Sequence, residues 1–522
     1  MKQVAQWTVF EQALTSARHD GDETCELSVV AHFAAPSGRS PQAQAFWDGG
    51  PTWRARLCPD EAGLWRWRSE CSDPSDAGLH GREGTFECLP YDGPNLLFQH
   101  GKPRVSDNGR HFLHADGTPF LWLGDTCWNG VLRATDADWT RYLQTRSAQG
   151  FTVIQFFSAH WRGLPRDAHG ECAFYGENPV RLNPSFFQRL DPKVAAINQH
   201  GLLASAIILL ALRDEDDGLR LSVEDVVRIS RYLLARWDAY HIAWTLGGDG
   251  DFRGERAERW KAVGRQVFGA GHSLATMHPC GWVWVADEFR DEPWFDFIGY
   301  QSCHADNPDV LRWFVLGPPA QEWLKPPARP IVNLEPNYEA HPAYDTKRPF
   351  TDWDVRRAAY WSLLISPPAG VAYGHHHIWP WSTEPEDQSK ALFGTDWGEL
   401  GPWTNGLEAP GARSITVLRR FFESGEWWRL RPAPAMVVDQ PGEEDPYRFV
   451  AAAATEQGDW AVIYLPRGGE VSLRAERLKR PARARWFDPR AGDWREAGEL
   501  QGERHAFRSP DDRDWVLDLR AG

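Results

Sequence analysis

Over the first 92 positions, apolar residues recur mostly at every second place, the spacing of strands with one buried face. In LWRWRSECS (64–72), Leu64, Arg66 and Arg68 fall on one face and Trp65 and Trp67 on the other. CELSVVAHF (25–33) alternates in part, and AQAFWDGGPTWRARLCP (43–59) reads as two strands around Asp48-Gly49-Gly50. Residues 1–95 are therefore expected to form an N-terminal β-sandwich that ends in the turn-rich PYDGPN (90–95).

From about 105 the pattern changes to apolar runs alternating with helical periods. Eight runs read as strands: TPFLWLG (118–124), FTVIQFF (151–157), LLASAIILL (202–210), HIAWTLGG (241–248), SLATMHP (273–279), FDFIGYQ (295–301), RPIVNLE (329–335) and GVAYGHH (370–376). LLASAIILL is continuously apolar, as a parallel strand covered on both faces must be. Between the runs lie helical stretches with start signals at Thr135 or Asp136, Asn183, Ser222-Val-Glu-Asp225 and Thr351-x-x-Asp354. Eight such units over 105–405 match the size of a (β/α)8 TIM barrel. A doubly wound sheet would bring a Gly-rich phosphate turn after its first strand, and Gly124-Asp-Thr-Cys-Trp-Asn-Gly130 is not one. Beyond about 410 the texture returns to β, so 410–522 is expected to be a C-terminal β-sandwich. The fold class is α/β, a barrel flanked by two β-sandwich domains.

Composition narrows the functional classes. The net charge of −15 repels phosphate backbones and anionic lipid surfaces, so neither nucleic acid nor membrane is expected as a partner. No apolar run approaches the ~18 residues of a membrane span, and the first 25 residues show no signal-peptide pattern. Eight scattered cysteines with no CxxC pair fit reduced thiols in a cytoplasmic protein. The 29 tryptophans are the unusual feature. Most belong in cores, but flat apolar rings at strand ends are also the surfaces on which sugars stack.

Barrel enzymes carry their chemistry at the C-terminal ends of the strands. Those ends hold Asp125 and Trp128, then Gln155 and His160, then Asp249, His278, Gln301, Glu335 with Tyr338, and finally His375, His376 and Trp379. Asp249 and Glu335 end the fourth and seventh strands and face each other across such a mouth. Glycoside hydrolysis needs a carboxylate pair of this kind. A calcium loop starting at Asp249 is excluded, because its fifth and twelfth positions would be Arg253 and Trp260. His375, His376 and His377 are adjacent on a strand and point to alternate faces, so a metal centre is not expected there. No cofactor is expected. Glu339 is expected to orient a neighbour or pair with an Arg.

FLWLGDTCW (120–128), WTLGGD (244–249), MHP (277–279), LEPNYE (334–339) and YGHHHIWPW (373–381) together resemble the apiosidase-like glycoside hydrolases. FWDGGPTWRARLCPDEAGLWRW (46–67) is similar to the N-terminal module of that family. The family joins a clan A barrel to an N-terminal sandwich and a C-terminal β domain of the collagen-binding type. The resemblance implies Asp249 as acid/base and Glu335 as nucleophile in a retaining, exo-acting enzyme. It also implies a pentofuranoside such as apiose as substrate. Asp125, Trp128, Gln155, His160, His278, Gln301, Tyr338, His375, His376 and Trp379 are the expected substrate-binding residues. The expected partner is a small glycoside or oligosaccharide, and homo-oligomerisation is left open. The competing expectation is a non-catalytic carbohydrate-binding protein on the same scaffold.

Overall fold

The computed structural model describes residues 1–18, 27–159, 161, 166–269, 271–366, 369–383 and 397–521. The N-terminal region is two β-sheets around one apolar core. The larger sheet orders its strands Lys2–Ala5, Glu83–Leu89, Gly63–Cys71, Val29–Ala34 and Gln42–Gln44. The smaller orders Phe10–Thr15, Thr52–Leu57 and Phe46–Trp47. Burial along Gly63–Cys71 alternates as the sequence predicts: Trp65 and Trp67 face the core, while Leu64, Arg66 and Arg68 face solvent. Phe10 stacks on Phe86 inside, with ring centroids 3.8 Å apart.

Eight parallel strands follow, all buried: β1 (Trp122–Thr126), β2 (Val153–Phe157), β3 (Leu203–Leu210), β4 (Ile242–Gly250), β5 (Ala275–Pro279), β6 (Ile298–Tyr300), β7 (Ile331–Asn333) and β8 (Gly370–Gly374). Their order in the sheet is β5-β4-β3-β2-β1-β8-β7-β6. β1 therefore pairs with β8, and the sheet curls into a nearly closed barrel. Thr276 stitches the remaining seam: its Oγ1 donates to the Phe297 carbonyl at 2.6 Å and accepts from the Gly299 N–H at 3.1 Å. This is the (β/α)8 architecture expected from the strand pattern.

Helices α1 (Asp136–Ala148), α2 (Pro184–Gln199), α3 (Val223–Trp237) and α4 (Asp352–Leu364) stand in the outer wall. Thr135 caps α1 by accepting from the Asp138 N–H, and Thr351 with Asp354 forms a full capping box on α4. Asn183 makes no side-chain cap, since Pro184 already sets the first helical position of α2. Ser222 caps α3, but the Asp225 carboxylate turns to the Asn178 and Val180 N–H groups instead of completing a box.

The return to β texture begins later than expected. Residues Pro410–Phe422 form a further helix, α5, packed on α4. It buries Ile415, Leu418, Phe421 and Phe422, a helical face whose period is masked by the strand-like run Ile415-Thr416-Val417. After it, Leu430–Pro432, Ala451–Thr455, Trp460–Leu465, Trp515–Ala521, Ala482–Phe487 and Trp494–Leu500 form a six-stranded sheet. Glu470–Arg474 pairs with Arg504–Arg508 in a two-stranded sheet beside it.

Candidate active site

The end of β4 is built to present one side chain. Its pairing with β5 shifts register between Thr245 and Gly248 and again between Gly248 and Gly250. Such irregularities bend a strand and re-aim the residue between them. That residue is Asp249, whose φ of 55° lies in the left-handed region, where Asp is better tolerated than most residues. Gly248 is required beside it, because a Cβ there would stand 2.5 Å from Ile207 Cγ2. Asp249 is thereby lifted into the barrel mouth, partly buried.

Glu335 lies two residues beyond β7 and is 8% exposed. Its Oε1 is 2.8 Å from His304 Nε2, and its Oε2 is 3.3 Å from His278 Nε2. One imidazole thus flanks each carboxylate oxygen. Burial pushes the Glu335 carboxyl up to about 7, with the His278 imidazole and the Tyr338 hydroxyl pulling it the other way. Burial also drives His304 down to about 3 and lowers His278, so both rings are neutral near pH 7. Neutral imidazoles can still donate to the carboxylate, the form of Glu335 that an attack on carbon needs.

Asp249 and Glu335 line the same pocket at the C-terminal ends of the strands. The pocket takes in about 470 Å³ of non-atom space, open solvent included. Trp128, His278, Gln301, Tyr338 and Trp379 share its lining, as the sequence expectation has them. Trp161, Trp379 and Trp397 form one aromatic wall, with centroids 5.3 Å apart for Trp161–Trp379 and for Trp379–Trp397. Trp128 stands opposite His278, edge to face at 5.6 Å. The lining residues absent from the expected set are Phe157, Trp161, Ile207, His304, His341, Tyr344 and Trp397. Trp161 carried a usable signal, since it follows the second strand directly. His304 carried none, because it sits in a loop beyond the end of β6.

Four expected binding residues do not line the pocket. Asp125 is fully buried on the outer face of β1, where its Oδ2 accepts from Tyr142 Oη at 2.6 Å and from Arg146 Nε. It is the internal counterion of Arg146. Gln155 spends its amide on Thr126 Oγ1 at 3.0 Å and on the Leu334 carbonyl at 2.9 Å, a crosslink below the pocket. His375 Nδ1 accepts from the His377 N–H, and its ring packs on Gly406. His376 packs behind His341, edge to face at 4.9 Å. His160 lies outside the described residues. Trp282, three residues beyond β5, is 44% exposed and lies outside the lining. Glu339 takes no Arg partner. It accepts from Tyr373 Oη at 2.7 Å and from the Gly411 N–H at the start of α5. Among the described residues no cluster of His, Cys, Asp and Glu is arranged to hold a metal ion.

A (β/α)8 barrel that brings two carboxylates into one aromatic-walled pocket at its strand ends defines a sugar-cleaving class of enzyme. The comparisons place the chain within that class. Residues 106–429 match the family described as "Apiosidase-like, catalytic domain". The protein belongs to the apiosidase-like family and is a glycosidase. Residues 3–72 match a domain of unknown function, and 432–520 a module named for a collagen-binding domain of a collagenase. Among solved structures, a glycoside hydrolase family 5 protein from Bacteroides vulgatus is similar at 24% identity and a TM-score of 0.69. That likeness covers 81% of this chain and 94% of that one. A structure described only as a glycoside hydrolase matches at 23% identity and a TM-score of 0.69, over 81% and 97% of the two chains. Another Bacteroides vulgatus protein, assigned as a glycoside hydrolase, matches over the whole of both chains at 18% identity and a TM-score of 0.72. These three likenesses are of fold. No curated protein matches the chain.

Proposed function

We propose that the protein is a retaining, exo-acting glycosidase that removes a small terminal sugar, a pentofuranoside such as apiose. The observation that carries this reading is the meeting of Asp249 and Glu335 in a single pocket. In the first step the Glu335 carboxylate attacks the anomeric carbon. The bond to the aglycone oxygen breaks, and that oxygen takes its proton from the Asp249 carboxyl. In the second step the Asp249 carboxylate takes a proton from water, the resulting hydroxide equivalent attacks the anomeric carbon, and the ester to Glu335 breaks. The pocket walls support exo action: Trp161, Trp379 and Trp397 on one side and Trp128 on another suit a ring entering end-on. Trp128, His278, Gln301, Tyr338 and Trp379 are the proposed sugar contacts. Cys58, Cys71, Cys88, Cys127, Cys172, Cys280 and Cys303 are free thiols, which supports a cytoplasmic site of action on small glycosides. Among the described residues no helix is long and apolar enough to cross a membrane.

The test is release of 4-nitrophenol from a panel of pentofuranosides and hexopyranosides by wild type, Glu335→Gln and Asp249→Asn. The reading expects turnover of at least one pentofuranoside, lost ~10³-fold or more in the Glu335 variant. Undiminished turnover in Glu335→Gln contradicts it, and so does an exclusive preference for hexopyranosides.

A further inference from the structure

The reading of Glu335 as nucleophile leaves open what aims it. Five ionisable groups face it from four barrel elements: Asp249 at the end of β4, His278 at the end of β5, Cys303 and His304 after β6, and Tyr338 after β7. Of these, His304 makes a polar contact of 2.8 Å from Nε2 to Oε1. It is 2% exposed, and its Nδ1 has no hydrogen-bond partner. The imidazole therefore commits its one side-chain hydrogen bond to Glu335.

The ring is held on all sides. Tyr338 lies 4.3 Å away at 52°, His341 stacks at 4.7 Å and 26°, and Tyr344 meets it edge-on at 5.6 Å. The loop beneath is pinned as well. Cys303 adopts a φ of 81°, and its N–H donates to the Glu335 carbonyl at 3.3 Å. The Tyr344 N–H donates to the His304 carbonyl at 2.8 Å. Asp306 is clamped by the Arg348 and Arg357 guanidiniums, and its carbonyl accepts from the Tyr447 hydroxyl. These contacts restrain the ring with Nε2 turned to the carboxylate.

We propose that His304 is the positioning residue of Glu335, its caged Nε2–H holding Oε1 so that the carboxylate form is favoured and aimed at the sugar. A hydrogen bond to a charged acceptor is about twice as strong as one between neutral groups. The contact thus favours the carboxylate over the acid, and removing it must make Glu335 harder to ionise.

The experiment follows the Glu335 carboxyl by infrared difference spectroscopy, wild type against Glu335→Gln, as pH is varied. This readout needs no turnover. In His304→Leu the protonated-carboxyl band is expected to persist to a pH higher by about one unit or more. In His304→Gln, which keeps an N–H donor, it is expected to stay nearer wild type. If His304→Leu does not fold, Asp306→Asn loosens the same loop from outside the pocket, and an upward shift of smaller size is expected. An unmoved band in the folded variant overturns the proposal, as does an equal shift in the Leu and Gln variants. With the substrate found in the panel, kcat should fall ~10²-fold in His304→Leu with KM within ~3-fold, and the acidic limb of kcat/KM should move with the band. A band that moves while the limb stays put upholds the role of His304 and overturns Glu335 as nucleophile.

Discussion

Glu335 is buried next to two neutral imidazoles, and in the proposed mechanism its titration sets the acidic side of the pH response. A nucleophile must be ionised, so kcat/KM is expected to rise through an acidic limb near pH 7, read from a pH–rate profile. The same shift works against stability. The folded carboxyl titrates near 7 against 4.5 for the free side chain, so between those values the folded state binds more protons than the unfolded one. Stability then falls as pH rises through that window and stays reduced above it. Glu335→Gln removes the penalty. It is expected to abolish turnover yet raise the melting midpoint by a few degrees at pH 8, with little difference at pH 4.5. A variant less stable than wild type at pH 8 contradicts this account of the site. Asp125 gives the opposite pattern. Its carboxylate neutralises the buried Arg146 outside the pocket, and breaking such a pair costs about 3–5 kcal/mol. Asp125→Asn should lower the denaturation midpoint while KM of the folded fraction stays at the wild-type value. A raised KM with unchanged stability would restore Asp125 to the binding site.

At the scale of elements, the eight barrel strands were legible because parallel strands covered on both faces read as short apolar runs. LLASAIILL maps onto β3 and HIAWTLGG onto β4. Direction within a strand was harder to read. Asp125 and Thr126 are neighbours on β1, yet the first points outward to α1 and the second inward to Gln155. A strand-end search that ignores this two-residue alternation takes up outward-facing residues such as Asp125. Glu335 and Asp249, which share the pocket, stand out in the sequence because each is an acid at the end of an apolar strand. His304 does not, since its place depends on the loop reversal at Cys303. Helix α5 was hidden by its β-branched run. The bulged end of β4 carries its own prediction: Gly248→Ala forces a Cβ to within 2.5 Å of the Ile207 side chain, and a shift of β4 in response is expected to carry Asp249 with it. Displacements near 1 Å at a reacting group cost on the order of 10²-fold. Steady-state kinetics should show that loss in kcat with the protein folded, and an unimpaired Gly248→Ala would mean that the aim of Asp249 does not depend on β4.

Across the whole molecule, the barrel is tied to both flanking β regions through buried polar groups. On the N-terminal side, Arg236 Nη1 donates to Asp48 and Arg56 Nη2 to Asp191, at 2.8 and 2.6 Å. On the C-terminal side, Arg356 of α4 is paired with Asp514 at 2.8 Å, and the Trp361 indole N–H donates to the Phe449 carbonyl at 3.0 Å. Tyr360 stacks on Tyr464 with centroids 4.6 Å apart. None of this was legible in the sequence, because each contact joins residues more than 80 positions apart whose types alone suggest only surface charge or core. A chain ending at residue 429 strips these partners from α4 and leaves Arg356 with Asp352 in place of its two-carboxylate clamp. It is expected to aggregate on size-exclusion chromatography, and a soluble monomer with wild-type turnover would show that the barrel stands alone.

The central claim is that Glu335 attacks the sugar. An activated 2-fluoro glycoside of the sugar identified in the panel tests it most directly, followed by intact-mass measurement and peptide mapping. The account predicts one added glycosyl mass per chain, located on Glu335, and none in Glu335→Gln. A label on any other residue, or rapid turnover with no covalent species, would contradict it.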